Sequence, residues 1–374
     1  MEKIKGTNLG NWLVLEEWMN PRFFEGTGAS DEAWLNRKMD RAKLEPIMNE
    51  HRSTYITEAD FKHIAERGLN LVRIPVPYFV FGDREPYIGC IEYLDQAFIW
   101  AQKAGLKVLV DLHTVKDSQN GYDNGGITGV CKWYKNKKEV VFALDVLRRL
   151  ARRYADKEAL YGIEVLNEPI SWPVYITSPS RNKAVDKDEA KGSGYVPLNF
   201  LKQFYRKAYQ VLRKELPDEK VIVFHDGFRL GAWKDFFVKN NMKNVVLDTH
   251  IYIFAMEGFV KIPSMLIYRY YIWWCRQKIK RAARYTPVLV GEWCIANRLG
   301  IRSQKRAGNN MSARTNVNRK IAKIQLDAWS TSAGWVYWNY QLHKNHIDPM
   351  EETWMEEWDL NRSLKHGWIP DLKK

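Results

Sequence analysis

Eight short apolar runs punctuate the chain, near Gly6–Leu9, Asn70–Ile74, Lys107–Leu112, Tyr161–Leu166, Val221–Phe224, Val245–Thr249, Val288–Gly291 and Gly334–Tyr337. Short continuous runs of this kind, bounded by turn formers, match strands buried on both faces. Between most of them the apolar spacing changes to a helical period. It is clearest over Thr57–Arg67, Glu92–Ala104, Glu139–Tyr154, Leu198–Leu216 and Arg314–Ser332, and Gly68 and Gly105 stand where the first two helices would end. Strand–helix alternation predicts a parallel sheet. Eight such units predict an α/β fold of one kind, a single (β/α)8 TIM barrel, spanning 1–374 as one catalytic domain with a loop insertion around 171–196.

In such a barrel the reactive groups sit just past the C-terminal ends of the strands. The residues found there are Arg73, His113, Asn167 with Glu168, His250 with Tyr252, Glu292 and Trp338, all polar or aromatic, whereas the strands themselves are Val, Leu and Ile. An open doubly wound sheet would gather such residues mainly at one switch point, not after six strands, so the closed barrel is preferred.

Two of these groups carry the chemistry. Glu168 follows the run Ile163–Leu166 and precedes Pro169, and Glu292 ends the run from Val288, so two carboxyls converge on one mouth from opposite sides. Glycosidic cleavage needs such a pair, one to protonate the departing oxygen and one to attack the anomeric carbon or activate water. Arg73 and Tyr252 are placed to keep Glu292 ionised through hydrogen bonds. Glu168 has to hold a proton until the leaving group departs, which calls for an apolar setting or the nearby charge of Glu292. An isolated buried Glu–Arg pair would be read as structural; convergence of several strand ends is what favours a site.

Composition narrows the picture. The 374 residues carry 58 Lys and Arg against 44 Asp and Glu, a net charge of +14, which favours anionic partners or surfaces. The cations are spread from Lys3 to Lys374, which argues against nucleic acid as a partner. The 16 Trp and 19 Tyr suit stacking on sugar faces as well as core packing. Cys90, Cys131, Cys275 and Cys294 have no metal-ligand spacing, and no metal or cofactor is expected. No secretory signal is visible, and the aromatic run Leu266–Trp274 is interrupted by Arg269, so a cytoplasmic location without a membrane span is expected. Oligomeric state is left open.

The ordered set of residues resembles glycoside hydrolase family 5. Arg73, His113, Asn167-Glu168-Pro169, His250-x-Tyr252, Gly291-Glu292 and Trp338 match that family's motifs along nearly the whole chain. The resemblance implies a retaining mechanism with a glycosyl-enzyme intermediate on Glu292, Glu168 as acid/base, Asn167 on the sugar 2-hydroxyl and Trp338 as a sugar platform. Within the family, Asn8-Leu9-Gly10-Asn11-Trp12-Leu13-Val14-Leu15-Glu16 and the run Ser118–Asn124 are similar to the exo-β-1,3-glucanase group. That likeness implies that Glu16 contacts the non-reducing sugar, Tyr122 clamps the next one, and Asn120 and Asp123 belong to the same sugar-binding loop. An oligosaccharide or glucoside is then the partner, with glucose released from short β-glucans. The alternatives are a membrane-surface glucosidase acting on a glycolipid and a non-catalytic glycan-binding barrel.

Three segments depart from the pattern. Ser171–Val196 is long and rich in Pro, Gly and mixed charge, and is read either as a lid or subsite extension or as disorder. Ser264–Arg284 mixes bulky aromatics with a basic end. As a barrel helix it would bury its rings and expose its cations; as a basic amphipathic helix it would face a membrane. Arg298–Arg302 follows the nucleophile strand and is expected to shape the aglycone side. Lys135–Lys138 is expected to be a solvated helix start, and Cys294 a packed thiol.

Overall fold

The computed structural model describes residues 3–342 and 356–373. Eight parallel strands close on themselves in sequential order: β1 Ile4–Asn8, β2 Leu71–Val76, β3 Lys107–Leu112, β4 Leu160–Glu164, β5 Val221–His225, β6 Val245–His250, β7 Val288–Trp293 and β8 Gly334–Tyr337. β8 pairs back onto β1, with Ile4 opposite Gly334 and Thr7 opposite Tyr337. The outer ring consists of α1 Glu58–Glu66, α2 Ile91–Ala104, α3 Lys137–Tyr154, α4 Leu198–Arg213, α5 Phe236–Lys239, α6 Met265–Ala282, α7 Met311–Trp329 and α8 Leu360–Lys365. The closed barrel is therefore the fold, as the alternation of runs predicts.

The boundaries differ at the ends of the ladders. Val165 and Leu166 are fully buried beyond β4, which ends at Glu164, although single backbone bonds to both neighbours continue there, Val165 N–H donating to Val223 O and Asn167 N–H to Leu112 O, each at 3.0 Å. β7 runs two residues further than its apolar run, through Trp293, at the price of register irregularities against both neighbours.

Side chains pointing inward fill the barrel in layers. The lower layers are apolar, with Ile4, Leu71, Leu109, Val221, Val223, Val246, Leu289 and Val336 forming a separate buried cluster. Above them the interior turns polar, with Asn8, Arg73, Asp111, Glu164 and Asp248 all inaccessible to solvent. Gly291 is required at this level: a Cβ there would lie 1.9 Å from the Asp248 carboxylate, which instead accepts the Gly291 N–H at 2.6 Å.

The 171–196 segment is neither disordered nor a free lid. It folds into short helices at Trp172–Thr177 and Lys187–Ala190 with a 3-10 turn at Pro179–Asn182 between them. Backbone bonds from Gly194 to Cys131 and from Val196 to Ile170 pin it to the β3 and β4 loops, and Glu189 pairs with Arg37 at 2.7 Å. Arg298–Arg306 is a helix capped by Asn297, whose side chain accepts from Gly300 N–H. It packs on Asn318 and Glu257 and lines no part of the cavity described below, so the expected aglycone role of Arg298–Arg302 is not borne out. Lys137 and Lys138 do start α3. Cys90, Cys131, Cys275 and Cys294 are buried free thiols, and burial pushes the Cys294 thiol well above its usual range.

The apolar interior layers predict a specific cost. Leu109→Ala, at a fully buried position inside the barrel, should destabilise the fold by about 2–5 kcal/mol, read from the urea midpoint at unchanged m-value. A loss below about 1 kcal/mol would mean that the interior is not packed as described.

Candidate active site

A cavity of roughly 400 Å³ opens at the C-terminal ends of the strands. Glu168 and Glu292 form its floor, Glu16, Asp123 and Asn124 supply further polar groups, and Trp18, Tyr122, Tyr252, Phe254, Trp338 and Trp358 form its aromatic walls. This combination of ring faces and convergent polar groups suits a sugar, whose flat faces are apolar and whose rim is hydroxyl.

The floor is assembled around Arg73. Its guanidinium is fully buried and donates from Nε to Glu164 (2.7 Å), from Nη1 to Asn8 and Glu292 (both 2.9 Å) and from Nη2 to Asn167 (2.9 Å), with Asp111 3.1 Å from Nη2. Tyr252 Oη donates to the other Glu292 oxygen at 2.8 Å. Glu292 is therefore held at both oxygens, as its neighbours in the sequence suggest.

His250 joins the two carboxylates. Its Nδ1 lies 2.8 Å from Glu168 Oε1 and 3.3 Å from Glu292 Oε2, while Nε2 faces Asp248 at 3.3 Å. One nitrogen so close to both oxygens places them no more than about 6 Å apart, below the 6.5–9.5 Å separation that leaves room for a water in inverting enzymes. A carboxylate pair at this spacing can act by double displacement.

The surroundings shift these three groups in different directions. Burial raises the Glu168 carboxyl, but the hydrogen bond and charge of His250, together with the Asn124 Nδ2 donor at 3.2 Å, outweigh it and bring the group below its usual value. Burial raises Glu292, and the opposing pull of His250 and Arg73 does not fully offset it. Burial would lower His250, yet the charges of Glu292 and Asp248 and the hydrogen bond to Glu168 lift it well above an ordinary imidazole. These environments favour the charged forms of His250 and Glu168, which are hydrogen-bonded to each other. The apolar setting or nearby Glu292 charge expected to raise Glu168 is outweighed by the two donors on its carboxyl.

The remaining expected residues either line the cavity or lie beneath its floor, with Asn120 apart from both. Glu16, Tyr122, Asp123, Tyr252 and Trp338 line the cavity. Glu16 accepts from Trp18 Nε1 at 2.7 Å; burial, then the charge of Asp123, raises it well above its usual value. Burial moves Asp123 up to about 6. Arg73, His113, Asn167 and His250 lie beneath the floor: His113 Nδ1 meets Asp111 at 2.5 Å and its ring stacks on Trp338 with centroids 5.7 Å apart. Asn120 is not at the cavity. It stands behind the loop, donating to Asn124 Oδ1 at 2.9 Å and accepting from Tyr122 N–H at 3.0 Å, so it shapes the turn that presents those two residues.

Four lining residues were not anticipated: Trp18, Asn124, Phe254 and Trp358. Asn124 closes the Ser118–Asn124 run and Phe254 follows Tyr252 by two, so proximity to a motif was the available signal. Trp358 has none, arriving from beyond β8 and packing on Tyr252 and Trp18 with centroids 5.2 and 5.3 Å away.

Among the described residues two sets could hold a metal ion, Glu168 with His225 and His250, and Glu164 with Asp248 and His250. Glu168, Asp248, His250 and one Glu164 oxygen are engaged with one another or with Arg73, and His225 Nδ1 accepts the Gly227 N–H at 2.9 Å, whereas His225 Nε2 and Glu164 Oε1 have no hydrogen-bond partner among the described residues.

Comparison with known proteins agrees with this geometry. The family model for cellulase, glycosyl hydrolase family 5, matches residues 36–343. The probable glucan 1,3-beta-glucosidase A of Emericella nidulans is 34% identical over 417 residues, covering 99% of this chain and 90% of its own. The glucan 1,3-beta-glucosidase of Schwanniomyces occidentalis is 31% identical, covering 98% and 87%. Among solved structures, the rutinosidase of Aspergillus niger superposes with a TM-score of 0.75 at 21% identity over 98% of this chain and 97% of its own, a likeness of fold. With the family model spanning most of its length and relatives above 30% identity along nearly all of it, the chain belongs to glycosyl hydrolase family 5 and is a glycoside hydrolase.

Proposed function

We propose that the chain is a retaining, exo-acting β-glucosidase that removes glucose from the non-reducing ends of short β-1,3-glucans, with Glu292 as nucleophile and Glu168 as acid/base. The observation that carries the assignment is the single imidazole that bridges both carboxylates on the cavity floor. The names of the fungal relatives support the 1,3-glucan substrate. Glu16, Asp123 and Asn124, which line the same cavity, supply the polar groups to fix the hydroxyls of a terminal sugar.

In the first displacement a Glu292 oxygen bonds to the anomeric carbon as the bond to the leaving oxygen breaks, and Glu168 delivers a proton to that oxygen. Before this step the proton moves from His250 Nδ1 to Glu168 Oε1 across their 2.8 Å contact, as the incoming sugar displaces solvent and disfavours a charged Glu168. In the second, Glu168 takes a proton from water, the oxygen attacks the anomeric carbon, and the ester to Glu292 breaks. Arg73 and Tyr252 stabilise the Glu292 carboxylate each time it departs. Beneath the floor, Asn167 Oδ1 accepts from Arg73 Nη2 and its Nδ2 lies 3.3 Å from His113 Nε2; the family resemblance assigns its remaining amide hydrogen to the sugar 2-hydroxyl. Trp338 forms the sugar platform, and Tyr122 holds the ring that leaves. Among the described residues no helix is long and apolar enough to cross a membrane, and the four buried free thiols favour the cytoplasm as the working compartment.

Three measurements test this reading. Incubation with an activated 2-deoxy-2-fluoro-β-glucoside should leave a stable adduct on the peptide containing Glu292; label recovered on another residue would defeat the assignment. Glu168→Gln should slow glucose release from laminaribiose by about 10²–10⁴-fold while leaving formation of the glycosyl-enzyme from a dinitrophenyl glucoside nearly intact. Equal slowing of both would count against an acid role. For kcat/KM on an aryl β-glucoside, the acid limb reports loss of the Glu292 charge and should lie above the ordinary 4.5, since burial raises that group. The basic limb reports loss of the proton shared with His250 and should lie above 6.5. An acid limb at or below about 4 would contradict the environment described for Glu292.

A further inference from the structure

α6 packs on the barrel through Tyr268, Ile272, Cys275 and Ile279, spaced four, three and four residues apart. That face leaves most of its rings outside. Leu266, Tyr270 and Trp273 form an outward stripe that is 78%, 67% and 53% exposed, and the loop before the helix adds Phe259 and Ile262 at 76% and 72%. The rings that an ordinary barrel helix would bury are thus turned to solvent. Isolated exposed apolar residues are ordinary, but five large ones within one loop and two helical turns form a patch of the kind that marks an interaction site.

The charges around the patch identify what it meets. Between Glu257 and Glu292 there is no acidic residue, whereas Lys261, Arg269, Arg276, Lys278, Lys280, Arg281 and Arg284 all fall in this interval. On the helix surface Arg269, Arg276 and Lys280 share the stripe that contains Trp273 and borders Tyr270. A second copy of the chain meeting this face across a two-fold axis would bring like charges together. A neutral glucan could stack on the rings but would leave the aliphatic Ile262 and Leu266 and the cations without counterparts. An anionic bilayer satisfies every element: aliphatic and Phe side chains below the headgroups, Tyr and Trp at the interface, Lys and Arg on the lipid charges.

We infer that the Phe259–Trp274 face docks peripherally on anionic lipid bilayers. The docking face adjoins the active site, because the one-turn helix Ile253–Glu257 carries Phe254 on the cavity wall and Met256 in a surface groove that it lines together with Ile267, Tyr270, Tyr271 and Trp274. The strand end, that turn and the start of α6 lie at the same end of the barrel, so a docked enzyme holds its cavity mouth beside the membrane surface. The inference concerns where the enzyme sits and is independent of which sugar it hydrolyses.

The test is co-sedimentation of the full chain with vesicles. Phosphatidylcholine vesicles containing about one third phosphatidylserine should bind at least about ten-fold more tightly than phosphatidylcholine alone, and the difference should shrink with added salt. The triple variant Phe259→Ser, Leu266→Ser, Trp273→Ser should lose about ten-fold or more of that binding while hydrolysing a soluble aryl β-glucoside as before. Arg269→Glu with Lys280→Glu should lose the preference for phosphatidylserine. Equal binding to both vesicle types, or undiminished binding by the triple variant, would overturn the inference. So would a dimer in gel filtration, or retention on insoluble β-1,3-glucan, that the same triple variant abolishes without anionic-vesicle binding by the parent.

Discussion

The arrangement of the site depends on the five hydrogens of one buried guanidinium. Arg73 reaches from β2 to acceptors on β1, β4 and the chain just beyond it, and β7, with a further ionic contact to Asp111 on β3. Lysine could not replace it: a rounded ammonium has three donors and no fixed plane, whereas the planar fork meets several oxygens in fixed directions. A lone cation in this interior would be prohibitively unfavourable, and Glu164, Asp111 and Glu292 together compensate it. The same contacts fix the height and orientation of Glu292, so stabilising the barrel interior and positioning that carboxylate at the cavity floor are one task.

That arrangement leaves more negative charge than Arg73 can balance. Asp248 and Glu168 join the three carboxylates already on the guanidinium, and His250 sits among them. Its proton is held by its surroundings rather than by its own basicity. Glu168 is accordingly pulled below its usual value and His250 well above its own, the reverse of what burial alone would do to either. Groups this close titrate as a linked set rather than one at a time.

Much of this was legible in the sequence, for physical reasons. Strands buried on both faces have no polar positions to blur them, so all eight runs appear, and the polar residues capping them mark the mouth. The ends were less legible because burial continues past the regular ladder: Val165 and Leu166 are buried beyond β4, where single backbone bonds such as Val165 N–H to Val223 O outlast the strand. Asn120 and Asn124 are equivalent in composition, and only the turn that points one at the cavity and the other at its neighbour separates them. Trp358 stands well beyond β8 in the sequence, where no periodicity announces it. In α6, composition could not say which rings face inward, since Tyr268 and Tyr270 differ only by their angle around the axis.

Glu168 adopts a left-handed backbone conformation, with φ of 45°. For a residue with a Cβ this conformation costs roughly 1–2 kcal/mol. The strain falls on the carboxylate that His250 and Asn124 hold, so the fold carries a small conformational burden at the floor of its cavity, one that a glycine would relieve only by removing the side chain those two donors grip.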